Sequence, residues 1–417
     1  MVKWWRDSSS ALPMMCWRSA AALLLLVAPA ASLAPPGSTL VLGGGFAGLY
    51  TALNLASDGR PVTVVDARDK FGFLPLLYEY AVGIAGEEEV SAPFAELFAG
   101  APSVDFVRGD VASVDLEARA ATLADGSVLA GEALVVALGK EPVLDAVPGV
   151  EAHAMPFYRL EDAAALRATL EGFGAGGKSV AVVGGGYTGV ELACHLRAAR
   201  PGDAVTLLDR GDTLVPSATA ANREAAVAAL AASGVSVRLG AAVDAVEEGS
   251  LVVDGAAAPA DCVVWTGGAR HGAALRGVAR KHRKRGLGGA LATDAGFAVR
   301  GAPGCFALGD CAAVAGVANA PSAQMALQQA HVAARNVRAH LDGRPTVVPF
   351  AYADLGEMLS FADDNAAASA FPALSDALNV AGPVASLARR VVYAARMPTR
   401  AQRLTALSSL ARSKAAA

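Results

Sequence analysis

TLVLGGGFAG, residues 39–48, joins a short apolar run to a glycine-rich turn of the form GxGxxG. A helix-like stretch follows to about Ser57, then the apolar run 62–65, which is closed by Asp66. In a strand–turn–helix unit the first glycine permits the tight turn, the second lets backbone N–H groups approach a pyrophosphate, and the third lets the helix pack closely. The stretch therefore predicts a dinucleotide site built from Gly43, Gly45 and Gly48, with Asp66 on the ribose hydroxyls.

The same arrangement returns 141 residues later as VAVVGGGYTG, residues 180–189. It predicts a second dinucleotide site with Gly184, Gly186 and Gly189, and Asp209 follows 25 residues after the first of these glycines. An acid in this place disfavours a 2′-phosphate and so favours NADH, although the neighbouring Arg210 weakens that preference. The sequence leaves NADH and NADPH open.

Two nucleotide sites in one chain indicate a flavin that remains bound as a cofactor and a nicotinamide nucleotide that binds and leaves as a substrate. The predicted fold is α/β, with two Rossmann-like dinucleotide-binding domains, the FAD domain being interrupted by the NAD(P) domain. Three further strands end in small-residue turns that would reach the cofactors, at Gly139, at Gly267, and at Gly309 with Asp310. The predicted limits are 35–150 and 268–345 for the FAD domain, 151–267 for the NAD(P)H domain and 346–417 for a C-terminal membrane-associating region.

Composition narrows the class of protein. The 417 residues are 54% hydrophobic and 18% charged, with a net charge of −4, which does not suggest a nucleic-acid-binding protein. None of the five cysteines forms a CxxC or CxxxxC pair, so neither a metal site nor a dithiol redox centre is expected. The basic run 280–285 is interpreted as a solvated loop of the catalytic fold.

The first 34 residues are typical of a targeting segment. Lys3, Arg6 and Arg18 precede an apolar run, 20–31, that is too short to span a bilayer. The following Ala31–Pro35 resembles the cleavage motif of algae with complex plastids. We expect a plastid protein at the thylakoid or plastoglobule surface, with a mitochondrial or secretory destination as the alternative.

Several motifs resemble the type II NAD(P)H:quinone dehydrogenases, within the flavoproteins that carry two dinucleotide-binding domains. They are FGFLPLLYE at 71–79, GGGYTGVEL at 184–192, APSAQMALQQ at 320–329, LGEML at 355–359 and RMPT at 396–399. The last two are similar to the plastid and cyanobacterial branch that reduces demethylphylloquinone and plastoquinone. Two positions depart from the family pattern: Leu138 replaces a threonine, and Leu327 stands where some relatives have histidine.

The resemblance implies a set of roles. FAD would be held by the first turn, Asp66 and Asp310, with a backbone contact from Val111 to the adenine. Glu191 would lie near the nicotinamide–flavin contact as a catalytic residue, and Gln324 and Gln328 would line the quinone pocket, Gln324 also with a catalytic role. For Glu191 the alternative is a carboxylate in the first turn of a helix, favoured by the helix dipole.

The implied reaction is hydride transfer from NAD(P)H to FAD and two-electron reduction of a prenylquinone, without proton pumping. Three other activities stay open. They are a sulfide:quinone oxidoreductase, which needs a reactive cysteine pair, a ferredoxin-type reductase, and an NADH-responsive flavoprotein like the apoptosis-inducing factors.

The C-terminal residues 384–417 hold seven Lys/Arg and no Asp/Glu, so the rest of the chain sums to −11. Val384, Leu387, Ala388, Val391 and Ala395 share one helical face, with Arg389, Arg390 and Arg396 off it, and Leu404, Leu407, Leu410 and Ala411 form a second face. This pattern predicts amphipathic helices that lie on an anionic membrane surface. Packing on the protein's own core and a homodimer contact are the alternatives.

Overall fold

The computed structural model describes residues 36–415 except 175, 285, 287, 319, 320, 346, 363 and 372–377, and for residues 410–415 it describes the backbone alone. The predicted targeting segment, Cys16 and Ala320 lie outside the described residues, as do the side chains of Leu410 and Ala411.

The strands are, in chain order, β1 (Thr39–Leu42), β2 (Val62–Asp66), β3 (Lys70–Gly72), β4 (Ser91–Pro93), β5 (Val104–Arg108), β6 (Val111–Asp115), β7 (Ala120–Leu123), β8 (Val128–Ala130), β9 (Ala133–Val136), β10 (Glu141–Pro142), β11 (Met155–Pro156), β12 (Ser179–Val183), β13 (Ala204–Leu208), β14 (Ser236–Arg238), β15 (Val243–Glu247), β16 (Ser250–Val253), β17 (Ala256–Pro259), β18 (Cys262–Trp265), β19 (Ala269–Arg270), β20 (Leu291–Thr293), β21 (Cys305–Ala307), β22 (Ala312–Val314), β23 (Gly356–Ser360), β24 (Ala366–Ala370) and β25 (Asn379–Ala381).

The α-helices are α1 (Phe46–Ala56), α2 (Leu77–Ala81), α3 (Glu87–Val90), α4 (Phe94–Leu97), α5 (Val150–His153), α6 (Leu160–Gly172), α7 (Tyr187–Ala199), α8 (Ala220–Ser233), α9 (Ala323–Leu341), α10 (Pro383–Arg396) and α11 (Arg400–Ala415).

Two five-stranded parallel sheets carry the fold, and they have equivalent strand orders. The first runs β21-β9-β1-β2-β5 and the second β11-β18-β12-β13-β14. Each is accompanied by a three-stranded antiparallel sheet, β6-β7-β8 beside the first and β15-β16-β17 beside the second. The two Rossmann-like units of the predicted α/β fold are confirmed.

The apolar runs become central strands because a parallel sheet is covered on both faces and needs continuous hydrophobic sequence. β1 and β9 are buried along their whole length and pair in register from Thr39 with Ala133 to Leu42 with Val136. In the second sheet Val183 of β12 lies between Leu208 of β13 and Trp265 of β18. Both glycine turns therefore emerge at the carboxyl ends of central strands, where ligands bind in open α/β sheets.

The C-terminal region differs from the prediction of helices alone. It begins with an antiparallel sheet of β23, β24 and β25, and only then continues into α10 and α11. The strand β24 reads Ala-Ala-Ala-Ser-Ala, a composition with little strand propensity, so its pairing with β23 supplies what the local sequence does not. Among the residues described, no helix combines the length and the apolar character that crossing a bilayer requires.

Candidate active site

The first glycine turn, residues 43–48, has three glycines, Gly43, Gly44 and Gly48, at which a Cβ would clash. Gly43 has φ +98°, and a Cβ there would lie 2.4 Å from the carbonyl oxygen of Ala137, at the end of β9. A Cβ on Gly48 would lie 1.8 Å from the oxygen of Gly43, so this glycine lets α1 start close to β1. A Cβ on Gly45, in contrast, would meet no protein atom within 4 Å. The turn thus leaves space for a ligand at Gly45, at a helix N-terminus, which suits the pyrophosphate of FAD.

Asp66 ends β2 and is buried against this turn. One carboxylate oxygen accepts the N–H of Gly44 at 2.7 Å, and both oxygens accept from the Arg68 guanidinium at 2.8 Å. Burial alone would raise the pKa of Asp66, but the ion pair and hydrogen bonds with Arg68 bring the pKa below its usual value. The carboxylate is therefore ionised and held in place as an acceptor for a ribose. Sequence reasoning did not identify Arg68, although it stands only two residues after Asp66.

Further predicted flavin-site residues lie near the first turn. Gly309 has φ +72°, and a Cβ there would be 3.0 Å from the Cβ of Ala47 in the turn. Its N–H donates to Gln329 Oε1 at 2.7 Å, and burial raises the pKa of the adjacent Asp310. Gly139 has φ +64° and stands two residues after Ala137.

Val111 begins β6, two residues after Gly109, which is hydrogen-bonded to the backbone of Asp66. The N–H of Gly109 donates to the backbone oxygen of Asp66 at 2.9 Å. The start of β6 therefore lies close to the end of β2, as a contact with the adenine half of FAD requires.

The second glycine turn, residues 184–189, repeats the first in detail. Gly184 has φ +122° and its Cβ would lie 2.4 Å from Thr266 Oγ1 and 3.2 Å from the backbone nitrogen of Gly267. A Cβ on Gly189 would lie 1.8 Å from the oxygen of Gly184, and a Cβ on Gly186 would again meet nothing within 4 Å. The turn has the geometry that a second pyrophosphate requires, and Gly267 lies against it.

Asp209 ends β13 and accepts the N–H groups of Gly185 and Gly211, the latter at 2.6 Å. It borders an open cleft of about 450 Å³ that is also lined by Gly186, Asp212 and Arg223. Asp209 is half-buried. A carboxylate at this strand end, beside an accessible cleft, is the kind of acceptor that the adenosine ribose of a dinucleotide requires.

Glu191 lies one turn into α7, not in its first turn, because the helix begins at Tyr187. The alternative of a first-turn carboxylate favoured by the helix dipole is therefore wrong. The side chain is buried and accepts the N–H of Ser360 at 3.0 Å. Burial raises the pKa of Glu191 to about 7, although Ser360, Arg389 and Tyr78 oppose this rise. A carboxyl that titrates near neutrality is suited to proton exchange.

The two predicted quinone-pocket residues project from the start of α9, which Ser322 caps by accepting the N–H of Met325 at 3.1 Å. Gln324 Nε2 donates to the Tyr352 hydroxyl at 2.6 Å, and Gln324 Oε1 accepts from Arg396 at 3.4 Å. The side-chain amide of Gln328 instead exchanges two hydrogen bonds with the backbone of Ala353. Tyr352 and Arg396 were not assigned to the site from sequence.

Arg389 corrects the prediction for the C-terminal tail. It was placed among the basic residues off the apolar face of the tail helix, but its side chain is 1% exposed and forms an ion pair with Glu79. Val384, Leu387 and Val391, on the predicted apolar face, are exposed on the surface of the protein. The face of α10 that packs on the protein is therefore the one that carries Ala385, Ser386, Arg389 and Ala394.

Cys194, Cys262, Cys305 and Cys311 are free and buried. Cys305 and Cys311 each donate to a backbone carbonyl, and burial raises the pKa of both thiols to about 11. Such thiols are unreactive at neutral pH. The described residues hold no cluster of His, Cys, Asp and Glu able to bind a metal ion.

The fold and these two sites define a flavoprotein oxidoreductase with two dinucleotide-binding domains. The family model described as pyridine nucleotide-disulphide oxidoreductase matches residues 37–336. Demethylphylloquinone reductase NdbB of Synechocystis is 36% identical over 88% of this chain and 93% of its own length. The alternative NAD(P)H-ubiquinone oxidoreductase C1, chloroplastic/mitochondrial, of Arabidopsis thaliana is 32% identical over 86% of this chain and 77% of its own.

Among solved structures, NDH2 of Plasmodium falciparum in complex with NADH superimposes with a TM-score of 0.79, covering 91% of this chain and 98% of that one at 15% identity. This likeness supports the fold. The family model and the sequence relatives show the family: the chain belongs to the type II NAD(P)H:quinone oxidoreductases, FAD-dependent enzymes of the pyridine nucleotide-disulphide oxidoreductase group.

Proposed function

We propose that the chain oxidises NAD(P)H and reduces a prenylquinone at a membrane surface, with FAD in the first site and the nicotinamide nucleotide in the second. The observation that carries the proposal is the pair of glycine turns. Their backbones are alike, but the first turn is almost wholly buried and the second is partly exposed. Residues 35–150 and 268–345 form the FAD-binding part and residues 151–267 the NAD(P)H-binding part.

In the overall reaction NAD(P)H gives up a hydride, and the quinone gains two electrons and two protons. FAD supplies a ring that accepts the hydride and passes on both electrons. Asp66 and Asp310 hold the flavin's hydroxyl groups, while Asp209 holds the ribose of NADH. Glu191 exchanges the proton that the reaction takes from solvent, because its carboxyl titrates near neutral pH.

The quinone site lies at the start of α9. Gln324 is held between Tyr352 and Arg396, so its amide is fixed in orientation and can hydrogen-bond a quinone carbonyl. Gln328 borders the same helix end. The Synechocystis relative is named for demethylphylloquinone, and we propose demethylphylloquinone or plastoquinone as the substrate of this chain.

The membrane contact is an exposed apolar surface of α10 and α11, formed by Val384, Leu387, Val391, Leu404 and Leu407. Val384 and Leu404 are 67% and 68% exposed. The tail that carries them has seven basic and no acidic residues, which matches an anionic lipid surface. A quinone that resides in lipid would reach the protein from this side. A plastid membrane is the proposed location, in keeping with the chloroplastic/mitochondrial relative.

Steady-state kinetics of the purified, FAD-loaded protein test the activity. We expect NADH oxidation that depends on plastoquinone or menaquinone analogues, with NADH preferred over NADPH. Turnover that requires ferredoxin in place of quinone, or sulfide in place of NADH, would contradict the proposal. Slow turnover with every acceptor would favour an NADH-responsive binding protein.

Vesicle flotation tests the membrane contact. The protein should float with vesicles that contain anionic lipid and less with neutral ones. Val384→Glu with Leu404→Glu should abolish flotation, whereas Val227→Glu, at an exposed valine of α8, should not. If the double variant instead converts a dimer to a monomer in size-exclusion chromatography, the surface is a homodimer contact.

A further inference from the structure

Arg389, in the middle of α10, is one of the most buried large side chains of the protein. Its guanidinium forms an ion pair with Glu79, donates to the Tyr78 hydroxyl at 3.2 Å, and lies 5.3 Å from the ring centroid of Tyr393. Glu79 is 7% exposed as a side chain. The guanidinium of a residue on a helix of the C-terminal tail thus lies in the protein interior, against the motif at residues 71–79.

From Arg389 the contacts lead to Glu191. The Tyr78 ring lies 4.6 Å from the His195 ring, and the Tyr78 hydroxyl helps to lower the pKa of Glu191. His195 Nδ1 is 2.8 Å from the backbone oxygen of Glu191, and its other nitrogen is 3.4 Å from Ser360 Oγ. Four elements, α2, α7, α10 and β23, therefore meet around one carboxyl group.

The charged and titratable groups that act on Glu191 come from three of these elements. They are Tyr78 and Glu79 on α2, Tyr187, Cys194 and His195 on α7, and Arg389 and Tyr393 on α10. Burial raises the pKa of Tyr78, Tyr187, Cys194 and Tyr393 and lowers that of His195 to about 4, so these five groups are neutral near pH 7. Near pH 7 the charges that act on Glu191 directly are thus Arg389 and Glu79, and Arg390 of α10 acts on Glu79 and His195.

A structural clamp alone does not account for this arrangement. A buried ion pair contributes little more to stability than well-packed apolar side chains would, because both charges lose their hydration. In addition, Nε of Arg389 is buried without a hydrogen-bond partner among the described residues, which costs about 1–3 kcal/mol. The positive charge of Arg389 also acts on the ionisation of Glu191, and this effect gives Arg389 a use in the reaction.

We propose that Arg389 is a positioning residue of the redox reaction: through Glu79 and Tyr78 it fixes the place and the ionisation of Glu191, so that α10 is part of the active site. The inference deepens the proposed function and rests on it. It also joins the membrane contact to the chemistry, because the helix that exposes Val384 and Val391 on one face carries Arg389 on the other.

Removal of Arg389 acts on Glu191 by charge. The cation lowers the pKa of Glu191, and Glu79 raises it by a smaller amount. Arg389→Met should therefore move the ionisation of Glu191 to higher pH, by on the order of one unit. Glu79→Gln should move it in the opposite direction, since it removes the negative charge.

The test is the pH profile of kcat and kcat/KM with NADH and a water-soluble short-chain quinone in detergent, which makes the assay independent of membrane docking. Arg389→Met should shift the limb near pH 7 upward, Arg389→Lys should restore it, and Glu79→Gln should shift it downward. Arg335→Met, at an exposed arginine of α9, is the matched control and should overlay the wild type. FAD content and thermal unfolding are measured on every variant.

The results separate a positioning role from a structural one. If Arg389→Met and Glu79→Gln lower the unfolding temperature but leave the profile unchanged, the inference is wrong and Arg389 is a clamp. If Arg389→Met does not fold, an unshifted profile of Glu79→Gln overturns the inference in the same way. A wild-type protein that shows no quinone-dependent NADH oxidation contradicts the proposed function itself, which an unshifted but active variant does not.

Discussion

Around the first glycine turn the side chains and backbone are buried except at half-buried Gly45, whereas at the second turn Gly186 and Thr188 are exposed and Gly184 is half-buried. The acids that follow the two turns, Asp66 and Asp209, also differ in burial. Asp66 is buried and paired with Arg68, and Asp209 is half-buried beside an open cleft. The backbone geometry is shared, so the difference lies in what surrounds it.

This difference indicates how one motif serves two kinds of ligand. A carboxylate that is already ionised and oriented loses little entropy when it binds, and a closed surround slows release, which suits a resident cofactor. An open cleft lets the nucleotide exchange at every turnover. The difference therefore supports the proposal of FAD in the first site and NAD(P)H in the second, on physical grounds that are independent of chain order.

The helices that start at the two turns also differ at one equivalent position. Two residues after the last glycine, α1 carries Tyr50 and α7 carries Glu191. Tyr50 donates to the backbone oxygen of Arg396 at 3.0 Å, near the quinone site, and burial raises its pKa to about 12. The second helix thus contributes a group that titrates near neutrality, and the first does not.

The largest expected effect distinguishes the two acids. Asp66→Ala leaves Arg68 and the Gly44 N–H without their acceptor, and we expect FAD binding to weaken by about 100-fold and unfolding to cost about 3 kcal/mol less. Asp209→Ala should keep its flavin and raise the KM for NADH. Flavin content after gel filtration and denaturant unfolding measure both. Equal flavin loss in the two variants would remove the distinction between the sites.

A second prediction concerns the pH dependence of stability. The pKa of Glu191 is raised from 4.5 to about 7 on folding, so its contribution is present below pH 4.5 and is lost as pH rises through 7. Relative to the wild type, Glu191→Gln should therefore gain up to about 3 kcal/mol of unfolding free energy between pH 5 and 8. Tyr50→Phe, at the equivalent position of α1, should show a difference that is independent of pH in this range. Parallel curves for wild type and Glu191→Gln would show that the carboxyl is not perturbed.

The smallest effect concerns the choice of coenzyme. Asp209→Asn removes the charge that repels a 2′-phosphate, and the preference for NADH over NADPH should fall by about tenfold. The ratio of the two kcat/KM values measures it, with Asp105→Asn, an exposed acid on β5, as control. A wild type that already prefers NADPH would indicate that Arg210 or Arg223 outweighs Asp209.

The sequence identified the glycine turns and their acids because each is set by local geometry that only glycine or a strand-terminal carboxylate satisfies. The contact of Arg389 with Glu79 spans 310 residues, and no local pattern encodes it. The helical periodicity of α10 showed one apolar face but not which face packs on the protein, so Arg389 was assigned to the surface. Likewise the alanine-rich β24 forms a strand only through its partner β23.

Valine substitutions at Gly45 and Gly186 test the central claim most directly, because a Cβ at either position meets no protein atom and would obstruct only a bound nucleotide. The measurement is the flavin absorbance of each purified variant before and after anaerobic addition of NADH. Gly45→Val should be folded and colourless, while Gly186→Val should be yellow and fail to bleach, and the wild type should be yellow and bleach. A colourless Gly186→Val with a yellow Gly45→Val, or a wild type without flavin absorbance, would contradict the account.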